Sequence, residues 1–185
     1  APLDTQVWNY SWGLAASTPE KDYVHLLYQD FTNYLGYSPY FKTLKMYDFE
    51  QNFLNFDYKR LSFIDTLKPK IIILRLGDNV DGTEAVADHL WKSFDLLLKT
   101  LKSKTDVVIC TSRWYPNKTV DAIMRQCCIE NNISFIDISY LYNNKSNLAS
   151  SEREFSDKDW GTHPGDRGMQ KIADLLWNHI KQILN

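Results

Sequence analysis

The run Ile71-Ile72-Ile73-Leu74-Arg75-Leu76-Gly77 constrains the fold more than any other stretch. A mostly continuous, β-branched apolar run of this length, without polar alternation, predicts a strand buried on both faces. Such a strand needs a layer on each side of its sheet. Helical spacing of apolar residues from Glu84 to Leu101 supplies one covering element, and Val107-Val108-Ile109-Cys110 reads as a second buried strand. A helix over 117–131 and a third strand over 133–138, centred on Phe135 and Ile136, continue the alternation. The closing helix, 166–184, places Met169, Ile172, Ala173, Leu176 and Ile180 on one face. Strand–helix alternation with short apolar strands implies parallel pairing and helices on both sheet faces, an α/β fold. Ligands of such sheets bind beyond the carboxyl ends of the strands, so a polar segment directly after a strand carries extra weight.

The first third of the chain is read from its punctuation. Ser17-Thr18-Pro19-Glu20 resembles a helix start, with Ser17 as N-cap and Glu20 closing a capping box. Tyr23, Leu26, Leu27, Phe31 and Tyr34 follow at helical spacing, and Gly36 ends the run. Leu44 to Asp48 reads as a short strand, and Tyr58 to Leu67 as a helix stopped before Pro69. Residues 140–161 are polar and loop-like.

Composition excludes several classes. The 185 residues suit one domain, and 44% hydrophobic residues suffice for a real core. A net charge of −2 without a basic stripe argues against nucleic acid as a partner. No apolar run approaches the roughly 18 residues of a membrane span. Cys110, Cys127 and Cys128 form neither a disulfide framework nor a zinc pattern, and are expected to be buried free thiols. No His/Asp/Glu cluster has ligand spacing, so neither a metal nor a cofactor is expected. Aromatic residues make up 14%; they fit a core and equally a sugar-binding cleft, where flat apolar faces stack on sugar rings, and composition does not separate the two.

Three segments are able to carry chemistry. Gly77-Asp78-Asn79-Val80-Asp81 follows the strongest strand directly. A glycine there permits a tight turn, and the Asn79 amide is a suitable donor to an oxyanion. The same residue types also make ordinary turns, so the segment alone fits a plain strand-to-helix connection as well. His163-Pro164-Gly165-Asp166-Arg167-Gly168-Met169 opens the last helix. Pro164 restricts the backbone before it and Asp166 is a candidate helix cap. A loop histidine there suits a general base, since its ordinary pKa lies near working pH; a surface histidine beside a turn fits equally. His25, His89 and His179 fall within helices and read as structural or exposed. The third segment is Trp8-Asn9-Tyr10-Ser11-Trp12-Gly13-Leu14-Ala15-Ala16-Ser17, a candidate binding loop or a loop packed by its own aromatics.

Taken in order, these segments resemble the SGNH (GDSL-type) hydrolases. Gly77-Asp78-Asn79 looks like the family's Gly-x-Asn block, and His163 like its last block. Trp12-Gly13-Leu14-Ala15-Ala16-Ser17, then Lys21-Asp22-Tyr23-Val24-His25-Leu26-Leu27, and the run 163–169 are similar to a bacterial subgroup. The resemblance implies a three-layer α/β/α sandwich with a flavodoxin-like parallel sheet of about five strands. It implies ester hydrolysis, often removal of acetyl groups from carbohydrates, with a small-molecule or carbohydrate ester as substrate. His163 would be the base, Asn79 an oxyanion donor and Gly77 its turn glycine. Trp12 and Trp160 are candidates for substrate contact.

The subgroup's nucleophile block precedes its Trp-Gly stretch. The expectation is therefore a single domain over 1–185 that lacks its N-terminal strand and nucleophile block, with Ser11 on a divergent first strand as the alternative nucleophile. The family's acidic residue three positions before the histidine corresponds to Trp160. Asp159 is the nearest substitute, Asp157 a weaker one, and backbone orientation of His163 the remaining option. The family's second-block glycine has no clear counterpart near Phe49 to Phe56, where Asn52 and Asn55 lie. A catalytically inactive glycan-binding relative is the rival reading.

Overall fold

The three expected strands are present in the computed structural model, which describes Gly13 and residues 15–184. The chain divides into two compact units, Leu44–Ser139 and Ala1–Thr43 with Tyr140–Asn185.

The unit Leu44–Ser139 holds the sheet. Strands β1 (Ile71–Leu74), β2 (Val107–Thr111) and β3 (Ser134–Ile136) pair in parallel in the order β1-β2-β3. Ile71 lies opposite Val107, Leu74 opposite Cys110, and Cys110 opposite Phe135. Parallel neighbours need a crossover, and helices α4 (Glu84–Lys102) and α5 (Lys118–Glu130) provide the two connections and pack on the sheet. Leu90, Phe94, Leu97, Leu98 and Leu101 give α4 its buried stripe at 3–4-residue spacing. Asn117 caps α5, its Oδ1 accepting from the Val120 amide at 3.1 Å. The α/β class is thus as the apolar runs imply: a parallel sheet with helices packed around it.

Burial refines the expectation. β2 is buried over four of its five residues, whereas β1 and β3 are largely half-buried. Among the described residues the sheet has three strands, and β1 and β3 each have one strand neighbour. The divergent first strand expected around Thr5 to Tyr10 lies outside the described residues.

No strand forms at Leu44 to Asp48: residues 44–46 carry no regular element, and a helix, α2 (Tyr47–Asn52), begins at Tyr47. Phe49 and Phe53 are both buried at the i, i+4 spacing of one helical face, with Phe53 opening the 3-10 turn that follows α2. The segment Tyr58 to Leu67 is a 3-10 turn, Tyr58–Leu61, followed by α3 (Phe63–Leu67), and it stops at Lys68 before Pro69 as expected. Cys110, Cys127 and Cys128 are buried free thiols. Burial pushes the Cys127 thiol up to about 12 and Cys110 well above its ordinary value. Neither has the thiolate character that reactivity requires.

The other unit is built on α1 (Tyr23–Leu35) and α6 (Asp166–Leu184), which pack together. Phe31 meets Trp177 edge-on at 5.1 Å, and α6 buries the expected stripe of Met169, Ile172, Ala173, Leu176 and Ile180. Gly36 ends α1 in the left-handed region at φ 74°. The start of α1 differs from the capping-box expectation. Asp22, 2% exposed, is the N-cap. Its carboxylate accepts from the His25 amide at 2.9 Å and, with its other oxygen, from the Gly13 amide at 2.9 Å. A carboxylate satisfies two donors here where the Ser17 hydroxyl would satisfy one. Pro19–Lys21 is a 3-10 turn, and Ser17 is engaged elsewhere, as described below. The polar stretch 140–161 is a series of short 3-10 turns, including Lys145–Asn147, Ala149–Ser151 and Trp160–Thr162.

Candidate functional site

The turn after β1 is organised by charged side chains. Gly77 has φ 106°, a conformation that L side chains rarely adopt. A Cβ there would lie 2.9 Å from Met124 Sδ and 3.0 Å from Arg113 Cγ. The Gly77 amide donates to Glu50 Oε1 at 2.5 Å, and Asn79 Nδ2 donates to Glu50 Oε2 at 2.7 Å. Gln51 Nε2 donates to the Asn79 carbonyl at 3.0 Å. Asn79 itself is exposed.

Asp78, between them, ties the turn to the segment after β2. Its Oδ1 accepts from the Trp114 and Tyr115 amides at 2.8 and 3.2 Å, and its Oδ2 from Arg75 at 3.0 Å. Arg113, 7% exposed, donates to the Asp78 carbonyl at 2.9 Å and the Val80 carbonyl at 3.4 Å. Asp78 is paired with Arg75, while Arg113 donates to main-chain carbonyls of the same turn. Buried charge is tolerated when it is paired and hydrogen-bonded in this way.

The loop before α6 is organised by the backbone. His163 ends the turn Trp160–Thr162 with φ −66° and ψ 162°, the extended conformation favoured before proline. Its amide donates to the Trp160 carbonyl at 3.2 Å, and its carbonyl accepts from the Ala149 amide at 2.9 Å. The Gly165 amide donates to the Asn147 carbonyl at 2.9 Å, and Leu148 bridges Pro164 in antiparallel fashion. His163 is half-buried, with the Trp160 ring centroid 6.3 Å from its own.

The N-terminus of α6 is capped by Glu152, not by Asp166. The Glu152 carboxylate accepts from the Asp166 and Arg167 amides at 2.7 and 2.9 Å. Asp166 is already the first helical residue, so its carboxylate is turned outward to residues 17–21. Its Oδ1 accepts from the Ser17 amide at 2.7 Å, and its Oδ2 from the Ser17 hydroxyl at 2.6 Å and Lys21 Nζ at 2.8 Å. Burial alone would raise the Asp166 carboxyl, but the bonds from Lys21 and Ser17 outweigh it and hold it below its ordinary value.

Asp159 is exposed and reaches His163 through the backbone of one 3-10 turn, its carbonyl accepting from the Thr162 amide and hydroxyl at 3.1 and 2.6 Å. Asp157 is likewise exposed and its Oδ1 accepts from the Asp159 amide at 2.9 Å. Asn52 and Asn55 bond each other at 2.9 Å. Ser11 and Trp12 lie outside the described residues. Among the described residues no group of three or more His, Cys, Asp or Glu is gathered to hold a metal ion, and no helix is long and apolar enough to cross a membrane.

Glu50 is the site residue that sequence reasoning missed. Its signal was present: an acidic side chain adjacent to Phe49 and three residues before Phe53, hence on an apolar helical face. The short strand expected over Leu44 to Asp48 stops before it, and no element is expected over Phe49 to Phe56.

No family model matches the chain, and no curated protein matches it either. Two solved structures resemble it. An acetyl xylan esterase, AlAXEase, superposes with a TM-score of 0.57 at 19% identity, over 87% of this chain and 91% of that one. The psychrotrophic esterase EstA from Pseudoalteromonas sp., in a structure inhibited by monoethylphosphonate, gives 0.64 at 15% identity, over 100% and 96%. This chain shares their fold.

Proposed function

We propose that this protein is a serine ester hydrolase of the SGNH type whose substrates are acetylated carbohydrates. Three observations support the reading. The segments at 12–17, 77–79 and 163–169 occur in the family's order. Both structural neighbours bear esterase titles, one of them acetyl xylan esterase. The observation that carries it is that, on this fold, an exposed Asn79 lies just past the carboxyl end of β1 and a half-buried His163 stands three residues before α6.

In the proposed reaction a serine Oγ attacks the acetyl carbonyl and His163 accepts the hydroxyl proton. Asn79 Nδ2 donates its second hydrogen to the developing oxyanion. Collapse releases the sugar alkoxide, which takes the proton from His163. Water, deprotonated by His163, then attacks the acetyl-enzyme and releases acetate. The nucleophile is a serine of the N-terminal block, for which Ser11 is the candidate within this sequence. Asp159 or the loop backbone orients His163, and Trp12 and Trp160 contact the substrate. The steps call for no cofactor.

The test is turnover of p-nitrophenyl acetate and acetylated xylo-oligosaccharides by the protein and by His163→Ala. Loss of turnover in a folded variant is expected, and unchanged turnover would sink the assignment. A non-catalytic glycan-binding role is the second reading. Tyr37 and Tyr40, 63% and 79% exposed, are its specific support. It predicts calorimetric sugar binding without ester cleavage.

A further inference from the structure

We infer that Glu50 is the positioning residue for Asn79: its buried carboxylate fixes the direction of the amide that the proposed hydrolysis uses as oxyanion donor. The inference rests on the esterase reading. Three features of the structure carry it.

First, the carboxylate spans the turn. One oxygen takes the Gly77 amide and the other takes Asn79 Nδ2, at 2.5 and 2.7 Å. A side chain with a single acceptor atom would satisfy only one of these donors, leaving the other without its partner. Secondly, the bond to Nδ2 removes the freedom of the Asn79 side chain about its terminal torsion, which is otherwise broad. With one Nδ2 hydrogen committed to Glu50, the direction of the other is set by amide geometry. Donors fixed before the reaction need no reorganisation during it, which is where electrostatic stabilisation gains its strength. Thirdly, Asp78, between Gly77 and Asn79, is itself held by Arg75 and by the Trp114 and Tyr115 amides, so the turn that presents Asn79 is fixed from a second direction.

Glu50 itself is only 8% exposed and lies on α2 among the buried Phe49 and Phe53. An acidic residue on that face is costly unless its acceptors are used. The Gly77 amide, being committed to Glu50, serves the turn and not the oxyanion. This leaves Asn79 as the donor that the segment contributes.

The experiment is a double-mutant cycle on kcat and KM with p-nitrophenyl acetate, using Glu50→Gln, Asn79→Ala and the pair. Glutamine keeps the shape but offers one acceptor and adds donors that face Gly77 or Asn79. Glu50→Gln is expected to lower kcat about 10- to 100-fold with KM changed less than about twofold. In the Asn79→Ala background the same change should cost little more, because its route of action is gone. Glu50→Asp, which keeps both oxygens on a shorter arm, should recover part of the loss. A wild-type kcat in Glu50→Gln, or losses that multiply in the pair, would overturn the inference and leave the esterase reading standing. Absence of turnover by the unaltered protein would overturn that reading, and this one with it. Should Glu50→Gln fail to fold, the Asn79 side-chain amide in the unaltered protein decides. One strongly protected and downfield Nδ2 proton supports the inference, and two equivalent, rapidly exchanging protons overturn it.

Discussion

Asn79 and His163 are carried by two short connections that are held by opposite means. The turn at Gly77-Asp78-Asn79 is fixed by side chains: Glu50 from α2 and Arg113 from the segment after β2, both distant in sequence, and Arg75 from just past β1. The loop at His163-Pro164-Gly165 is fixed chiefly by backbone hydrogen bonds to Asn147 and Ala149, with the Glu152 carboxylate on the helix end. A lock made of side chains can fail at one substitution, because each lost partner leaves a buried charge or donor unmatched. A lock made of backbone bonds tolerates side-chain changes and fails where the close approach of two chains is blocked.

The largest expected effect separates the roles of the two side chains. His163→Ala should lower turnover by about 10⁴-fold or more, since it removes the proposed base. Asn79→Ala should lower it by about 10²- to 10³-fold, the usual loss for one oxyanion donor, the role proposed for it. Steady-state kinetics with thermal melts as a control measure both, and the reverse order would break the comparison. Next in size is Gly77→Ala. It forces a methyl into the left-handed region against Met124 and Arg113, and should destabilise the protein by about 3 kcal/mol in denaturant melts. A neutral result would show that the turn is not locked.

The loop's weak point should be milder. Glu152→Ala leaves two α6 amides without their acceptor and should cost about 1–2 kcal/mol. The smallest effect concerns Asp166. Its carboxyl is held below the ordinary value, so it contributes stability above the unfolded pKa of about 3.9, and that contribution is lost as pH falls through the lower folded value. Melting temperatures taken from pH 6 down to pH 2.5 should fall more steeply below about pH 4 for the unaltered protein than for Asp166→Asn. Equal slopes would show that the bonds from Ser17 and Lys21 add nothing to folding.

The legible parts of this chain are those set by local pattern. β1, β2, α4, α5 and α6 follow from apolar runs and 3.6-residue spacing, because burial of one face is what those patterns record. The end of α1 at Gly36 and the stop before Pro69 follow from backbone restrictions of single residues. What escaped sequence reading depends on partners far along the chain. Asp22 displaced Ser17 as the cap of α1 because it also satisfies Gly13, and Ser17 was drawn to Asp166, 149 residues away. Glu152 took the capping role offered to Asp166 from 14 residues upstream. Glu50 meets Gly77 and Asn79 across 27 and 29 residues, a distance over which no periodicity operates. Asn79 and His163 stand out in the sequence because each lies next to an element boundary; the residues that hold their backbone and side chains in place do not.

The central claim is an activated serine served by His163. Its most direct test is fluorophosphonate labelling of the protein and of its His163→Ala variant, with intact mass and peptide mapping. The account predicts one adduct, on a single serine, formed in the unaltered protein and largely lost in the variant. No adduct, or labelling that is indifferent to His163, would contradict it.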